Sequence, residues 1–557
     1  MIIGFGWIPL WVHTSRNCAY QEGEEIKRLK YDHINLVDNQ LNYYRSQGFP
    51  ENYGLFELPV SIRKNTHNVQ KLNLRWWDQI SRYSSRDQIS MPFVIWKTGV
   101  DIKILPGFSK NQRSINMCSF IFTNKEISDV DYVNFFNKFR GPDNTNVFVK
   151  NGYSFLHNLL SITGEFKTQP FVQDNIICLY NGEIYNYKEF GDYNSDGECL
   201  IPLYIKDGYN FIKKLDGEFA ITLVDFNKNI VIISTDTFKT KPIFYSLTDG
   251  IATSSYSDPL KKLGYTNILK MDPNTTLIVD LKTRTPLEKR LVHNFDVSNQ
   301  NKDTFEDWVS AFEKSIKKRT NGIREKIFIG LSGGYDSGAI CCELLNQNVK
   351  FKSYTVIGTE NSNILNQRFS LLNNNEQQSL TKNTDEINVA YNYIKNNTET
   401  FKFVTYSNSS DYNEYWLSLI DDNGAKHLSH VCSNAIKDGK KILLSGQGAD
   451  EIFSDYGFGG IKKYNHSNFG GLFPEDLKSV FPWPSFFNSS MESYLAKEEY
   501  VAGSYGIESR YPFLDLEVVQ EFLWLKPELK NSHYKSVLYY YLKKYNFPFT
   551  ENEKIGF

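Results

Sequence analysis

The stretch Ser332-Gly333-Gly334-Tyr335-Asp336-Ser337 constrains this chain more than any other. It follows an apolar run, Ile327-Phe328-Ile329-Gly330-Leu331, that reads as a buried strand. It precedes Gly338-Ala339-Ile340-Cys341-Cys342-Glu343-Leu344-Leu345, which reads as a helix. A strand, a turn of small residues and a helix N-terminus together make an anion site. Glycines let the backbone approach closely, unpaired N–H groups point outward, and the helix dipole favours negative charge. Ser332, Gly333, Gly334, Asp336 and Ser337 are therefore candidate phosphate-side residues. Asp336 would repel a phosphate unless a cation lay between them, so the loop also implies Mg²⁺. The Gly-Lys-Ser/Thr ending of a Walker loop is absent.

A chain of 557 residues exceeds what one core can organise, and roughly two to four domains are expected. Three blocks emerge. Residues 1–112 are rich in Trp, Arg and Asn, with a helical centre at Trp76–Tyr83, and end in a linker-like Pro106–Asn116. Residues 118–295 alternate short apolar runs with turn signals, as in Ile176–Tyr180, Phe219–Val224 and Ile230–Ile233, and predict a strand-rich, sheet-on-sheet domain. Residues 300–557 alternate strands with longer amphipathic helices, as a doubly wound domain does. Within this block, 361–384 is polar and Asn-rich, without periodicity, and reads as an inserted mobile loop.

The formal net charge of −2 argues against a nucleic-acid-coating protein. The seven cysteines are scattered without CxxC spacing and support neither a disulfide framework nor a zinc site. Residues 2–12 form an N-terminal apolar run that is too short to span a bilayer and contains Pro9. It reads as a strand. A soluble, cytoplasmic protein without membrane or nucleic-acid partners is expected.

Further motifs lie in order along the chain: Arg140-Gly141-Pro142-Asp143, Tyr180-Asn181-Gly182-Glu183-Ile184-Tyr185-Asn186, Asp196, Leu215-Asp216-Gly217-Glu218-Phe219-Ala220 and Lys241-Pro242. After the first loop come Ser445-Gly446-Gln447-Gly448-Ala449-Asp450-Glu451, behind the apolar run 442–444, and Glu508-Ser509-Arg510-Tyr511-Pro512-Phe513-Leu514-Asp515. Ser332–Ser337 resembles the pyrophosphate loop of ATP pyrophosphatases. With the other motifs, residues 117–557 resemble the glutamine-dependent asparagine synthetases. The fold implied is α/β and multidomain: an N-terminal-nucleophile αββα sandwich, then a doubly wound ATP-pyrophosphatase domain.

The resemblance implies roles for particular residues. Met117-Cys118-Ser119-Phe120 matches the opening of the family's glutaminase domain, which makes Cys118 the candidate nucleophile on the glutamine amide. Asn181 and the N–H of Gly182 would stabilise the oxyanion, and Glu183 and Asp196 would hold the substrate α-ammonium. Two departures stand out. Cys118 is internal here, so its nitrogen is a peptide amide and cannot act as the base; cleavage before Cys118, or translation starting at Met117, would free it. Leu159 occupies the place of an arginine that grips the substrate carboxylate, and leucine offers no bidentate donor.

In the ATP half the resemblance implies that Ser445 and Gly446 line the phosphate, that Asp450 joins Asp336 at Mg²⁺, and that Lys535 and Lys554 reach the phosphates. Gln447 stands where many relatives carry glutamate and cannot take a proton. Lys554 belongs to a Lys-x-x-Phe match at Phe557, where relatives continue, so its loop is expected to lack trailing support. Arg510 and Asp515 read as organising groups. The reaction implied is amidation of a carboxylate through an acyl-adenylate, with ATP and Mg²⁺ as cofactors and nitrogen from glutamine or ammonia. Aspartate is the default acceptor; a sugar or peptide carboxylate, or a degenerate scaffold, stays open, as does a homodimer. Residues 1–112, with Tyr44–Pro50, Ile62–Asn65, Trp76-Trp77 and Arg86-Asp87-Gln88, resemble the C-terminal end of a glycosyltransferase-like domain without its DxD motif.

Overall fold

A computed structural model describes the chain except residues 1–7, 13–17, 30–31, 54, 58–66, 84–86, 100–101, 105–117, 161–166, 324–325, 359–360, 373–374, 381–383, 400, 407–413, 465 and 552–557. The chain divides into two compact units, Met1–Arg113 and Ser114–Phe557. In the first, the strand Ile8–Val12 pairs in parallel with Ile102–Ile104 and antiparallel with Phe56–Glu57. Four helices, Ala19–Leu29, Ile34–Ser46, His67–Arg82 and Asp87–Thr98, accompany this small sheet. Their core is aromatic: Tyr44 stacks on Phe93 with ring centroids 3.9 Å apart, and Phe49 packs edge-on against both.

The second unit begins with two antiparallel six-stranded sheets. Every residue of the strand Ile176–Ile184 is buried, although an antiparallel strand with one wet face would alternate. The reason is that both faces are covered. Ile177 and Leu179 point between the sheets with Phe120, Phe122 and Val231, whereas Cys178 and Tyr180 point outward under Leu200, Leu203 and Phe211. This is the αββα sandwich that the family resemblance implied.

A five-stranded parallel sheet follows, in the order Glu376–Leu380, Phe351–Val356, Ile327–Gly330, Ile442–Leu444, Glu508–Arg510. The chain first winds outward from Ile327–Gly330 to one edge, then returns to build the other side. The strand order therefore reverses between Ile327–Gly330 and Ile442–Leu444. In such sheets the crevice beyond the strands' C-terminal ends at that reversal is where ligands bind.

One expectation fails here. Residues 361–384 are not an irregular loop: they include the helix Ser362–Leu371 and the edge strand Glu376–Leu380. An edge strand tolerates polar side chains, and this one buries Leu380 among partly exposed Gln377 and Gln378. The helix shows no apolar stripe because one of its inward residues is Arg368, next to Leu365. All seven cysteines are buried free thiols. Among the described residues no helix is long and apolar enough to cross a membrane.

Candidate active site

Beyond the strand Ile327–Gly330 the chain turns through Leu331–Gly334 into the helix Tyr335–Asn346. The turn is held from within: Ser337 Oγ accepts from the Ser332 N–H at 3.1 Å and contacts Ser332 Oγ at 2.9 Å, and Ser332 Oγ accepts from the Gly334 N–H at 3.1 Å. It is also held from outside. The buried Arg368 guanidinium donates to the carbonyls of Ser332 and Gly334. Arg368 thereby anchors the loop at two of its carbonyls. The sequence reading missed Arg368, which sits in the stretch taken as loop.

The second loop follows Ile442–Leu444 and leads into the helix Ala449–Phe453. It meets the first at Gly446, where a Cβ would lie 3.0 Å from the Asp336 Cβ, so glycine permits the close approach. Ser332, Gly334, Asp336, Ser337, Ser445, Gly446, Gln447, Asp450, Glu498 and Lys535 line one cavity of about 280 Å³ at the reversal point. The two aspartates face a common cation: Lys535 Nζ lies 2.7 and 2.8 Å from the Asp336 carboxylate oxygens and 2.9 Å from Asp450 Oδ1. Burial alone would lower the Lys535 pKa, but the two carboxylates win and hold it above its ordinary value. Lys535 has a left-handed backbone, φ +48, a conformation disfavoured for a long side chain and found where surroundings impose it. Tyr534 donates to Asp450 Oδ1 at 3.0 Å.

The donor set fits a hard cation. Two carboxylates already converge on one positive charge, and Mg²⁺ bound with a nucleotide takes one or two carboxylates, the rest coming from phosphate and water. Among the described residues no cluster of three or more His, Cys, Asp or Glu forms a protein-only metal cage. Lys554 lies outside the described residues.

In the sandwich, Cys118 opens the strand Ser119–Thr123, which packs against Ile176–Ile184. Its thiol is buried 3.8 Å from the Leu160 carbonyl. Burial pushes its pKa far up, and the charges of Asp196, Glu508 and Glu183 push it further. Asn181 is buried with neither Oδ1 nor Nδ2 hydrogen-bonded among the described residues, the condition of a group awaiting a ligand. Gly182 has φ +137, and a Cβ there would lie 1.9 Å from the Glu218 carbonyl, so no other residue fits. Asp196 accepts from the Tyr180 hydroxyl and, at 2.9 Å, from the Ile184 N–H. Leu159 is buried in the strand Tyr153–Leu159 and brings no charge.

Glu183 does not face a ligand alone. It stands directly across the sheet from Glu218, and like charges at such positions repel. Each carboxylate is matched by an arginine from the ATP half: Arg510 Nη2 lies 2.9 Å from Glu183 Oε1, and Arg319 Nε donates to Glu218 Oε1 at 2.9 Å. Arg510 also pairs with Glu508, and Arg319 with Asp515. Arg140 and Lys241 of the sandwich converge in return on Glu499, at 2.7 and 2.9 Å. The sequence motifs contained Arg140, Lys241, Glu218, Arg510 and Asp515, but nothing local showed that they would close on one another across the two halves.

Acids outnumber bases in this buried seam, and two carboxyls give way. Burial pushes both Glu498 and Glu508 up to about 7. A carboxyl raised in the folded state keeps a proton that the unfolded chain releases near its ordinary pKa of about 4.5. Folding stability contributed by Glu508 is therefore full below about pH 4.5 and is lost as pH rises towards 7. Denaturant unfolding at pH 5 and pH 8 should show a smaller pH-dependent loss in Glu508→Gln than in the unaltered protein.

Comparison with known proteins adds the following. Residues 117–288 match the family described as glutamine amidotransferase domain, residues 307–485 match asparagine synthase, and residues 9–123 match the TOD1/MUCI70 glycosyltransferase-like domain. A Methanocaldococcus jannaschii protein assigned as a glutamine-hydrolysing asparagine synthetase is 28% identical over 435 residues, covering 72% of this chain and 74% of its own. The mouse glutamine-hydrolysing asparagine synthetase is 27% identical over 443 residues, covering 70% and 73%. The human enzyme of the same name is 25% identical over 442 residues, with the same coverage.

Proposed function

This chain joins a glutamine amidotransferase domain to an asparagine synthase domain behind a glycosyltransferase-like segment, and we propose that it amidates a carboxylate at the expense of ATP, with aspartate as the first acceptor to test. The observation that carries this reading is the convergence of two phosphate-side loops on Asp336, Asp450 and Lys535 at the sheet's reversal point. In this reading the acceptor carboxylate attacks the α-phosphate of ATP, and pyrophosphate leaves into the Ser332–Ser337 loop. Nitrogen then attacks the acyl carbon and AMP departs. Asp336 and Asp450 would hold Mg²⁺, which supplies charge neutralisation on the phosphate oxygens. The chain's own groups act by position and charge: loop N–H groups on the leaving pyrophosphate, and Lys535 as a fixed positive charge.

The test is formation of asparagine and pyrophosphate from aspartate, ATP, Mg²⁺ and ammonium chloride, which bypasses the glutaminase. Equal yields of the two products support the reading. Pyrophosphate formed only with another carboxylate, such as a sugar acid suggested by the match over residues 9–123, would replace aspartate and keep the chemistry.

For the nitrogen source, Cys118 and Asn181 support glutamine, with Asp196 and Glu183 as the substrate-side acids. Two observations favour free ammonia for the uncut chain: the nitrogen of Cys118 is a peptide amide, and Leu159 replaces a charged grip. Cys118→Ala is expected to abolish glutamine-dependent amide formation while leaving the ammonia-dependent rate within about twofold, because the thiol forms the covalent intermediate. Glutamine-dependent activity should appear only in preparations whose intact mass shows a chain beginning at Cys118.

A further inference from the structure

Glu498 and Glu499 are neighbours on the helix Ser490–Ser504, yet they face different partners. Glu499 is taken by Arg140 and Lys241 of the glutaminase half. Glu498 lines the cavity of the ATP half. Its Oε2 accepts from Ser445 Oγ at 2.8 Å, which fixes the carboxyl against the second phosphate-side loop. Its Oε1 is buried and makes no well-formed hydrogen bond among the described residues, although the Ser509 hydroxyl acts on the same carboxyl, and the residue as a whole is 6% exposed. A buried carboxyl oxygen without a partner is costly unless something arrives to bond it.

The other acids of the cavity are committed. Asp336 and Asp450 hold Lys535. Glu451 accepts from the Gly448 N–H and the Tyr456 hydroxyl. Gln447 lines the same cavity, but its amide cannot take a proton. Glu498 thus combines an open oxygen with a place in the cavity beside Glu499, which the glutaminase half holds.

We propose that Glu498 is the proton acceptor for the nitrogen nucleophile in the ATP half. The assignment rests on the amidation reading above. Ammonia attacks the acyl carbon of the adenylate, the C–N bond forms, and the carbonyl electron pair moves to oxygen. The nitrogen of this intermediate carries a positive charge, and Glu498 takes one N–H proton. The carbonyl re-forms as the C–O bond to AMP breaks, giving amide, AMP and protonated Glu498, which returns its proton to solvent. A carboxyl pushed up to about 7 suits the task. Burial raises it most, the hydroxyls of Ser445 and Ser509 lower it, Glu499 raises it and Lys241 lowers it; its charge in turn acts on Tyr511 and Cys432.

Glu498→Gln and Glu498→Asp in the full chain test the role through three rates: carboxylate-dependent ATP–pyrophosphate exchange, amide formation from ammonium chloride, and hydroxamate formation from hydroxylamine. Exchange precedes nitrogen attack and should stay within about twofold in Glu498→Gln, whereas amide formation falls about 100-fold. Hydroxamate formation should fall far less, because the weakly basic hydroxylamine nitrogen gives its proton to water. Glu498→Asp should recover part of the amide rate. Amide formation by Glu498→Gln within about threefold of the unaltered protein overturns the proposal, and so does a parallel fall of all three rates. Absence of exchange in the unaltered protein with any carboxylate instead overturns the amidation reading itself, and this proposal with it.

Discussion

Asp336→Asn is expected to lower carboxylate-dependent ATP–pyrophosphate exchange by about 10³-fold, the upper range for removing one preorganised charge from a phosphate-side site. The effect is large because Asp336 has a part that its neighbours cannot play. It sits in the first turn of the helix Tyr335–Asn346, where the helix dipole would favour the leaving pyrophosphate. Its negative charge is tolerable there only with a cation between it and the phosphate. Asparagine keeps the shape and loses the charge, so a bound Mg²⁺ would be held by Asp450 alone. The variant should therefore also need a higher Mg²⁺ concentration for half-maximal exchange. Folding should change little, since Asp450 remains to pair with Lys535. Exchange at the unaltered rate would remove Asp336 from the chemistry and the loop from its pyrophosphate role.

The phosphate side was legible because its information is local. A strand, a small-residue turn and a helix N-terminus are adjacent in the chain, and the loop at Ser332–Ser337 and its counterpart at Ser445–Glu451 each carry their geometry in a few residues. Gly182 was marked by its motif, although what excludes a side chain there, the Glu218 carbonyl, comes from the strand paired with it. Arg368 was hidden because it is a buried cation in a polar helix, and periodicity registers apolar residues only. Glu183 illustrates a different limit. Its motif marked it as an acid at the glutamine site, but its approach to Arg510 depends on how two sheets from distant parts of the chain dock. Glu498 and Glu499 were silent in sequence: two adjacent acids on a helix with little amphipathic contrast read as a solvated face, whereas burial at the seam makes one a clamp and leaves the other open to the cavity.

That clamp gives the second large effect. Glu499→Ala is expected to cost about 3–5 kcal/mol of stability, the range for removing one partner from a buried ion pair. Arg140, Lys241 and Glu499 are all at most 1% exposed, so water cannot take the carboxylate's place. The guanidinium donates to Glu499 Oε2 at 2.7 Å and to its backbone carbonyl at 2.9 Å, and Lys241 Nζ reaches Oε1 at 2.9 Å and the Ser509 carbonyl at 2.7 Å. After truncation the two backbone acceptors remain, but Arg140 loses its carboxylate and Lys241 keeps only the more distant Glu218, at 3.9 Å. Glu499→Gln should cost less, because the amide oxygen still accepts from one of the cationic partners. The triple change Arg140→Met, Lys241→Met, Glu499→Met separates the cost of an orphaned charge from the worth of the cluster: it should recover much of the lost stability, since apolar groups of similar size can replace buried ions at little net cost. It should not recover coupling between the halves. Its ammonia-dependent rate should exceed its glutamine-dependent rate by more than in the unaltered protein, because the seam then relies on its remaining charge pairs, such as Arg510–Glu183 and Arg319–Glu218. Denaturant midpoints for the three variants, read beside the two nitrogen-source rates, decide the matter: a Glu499→Ala midpoint equal to that of the unaltered protein would mean that the cluster neither holds the halves together nor lies dry between them.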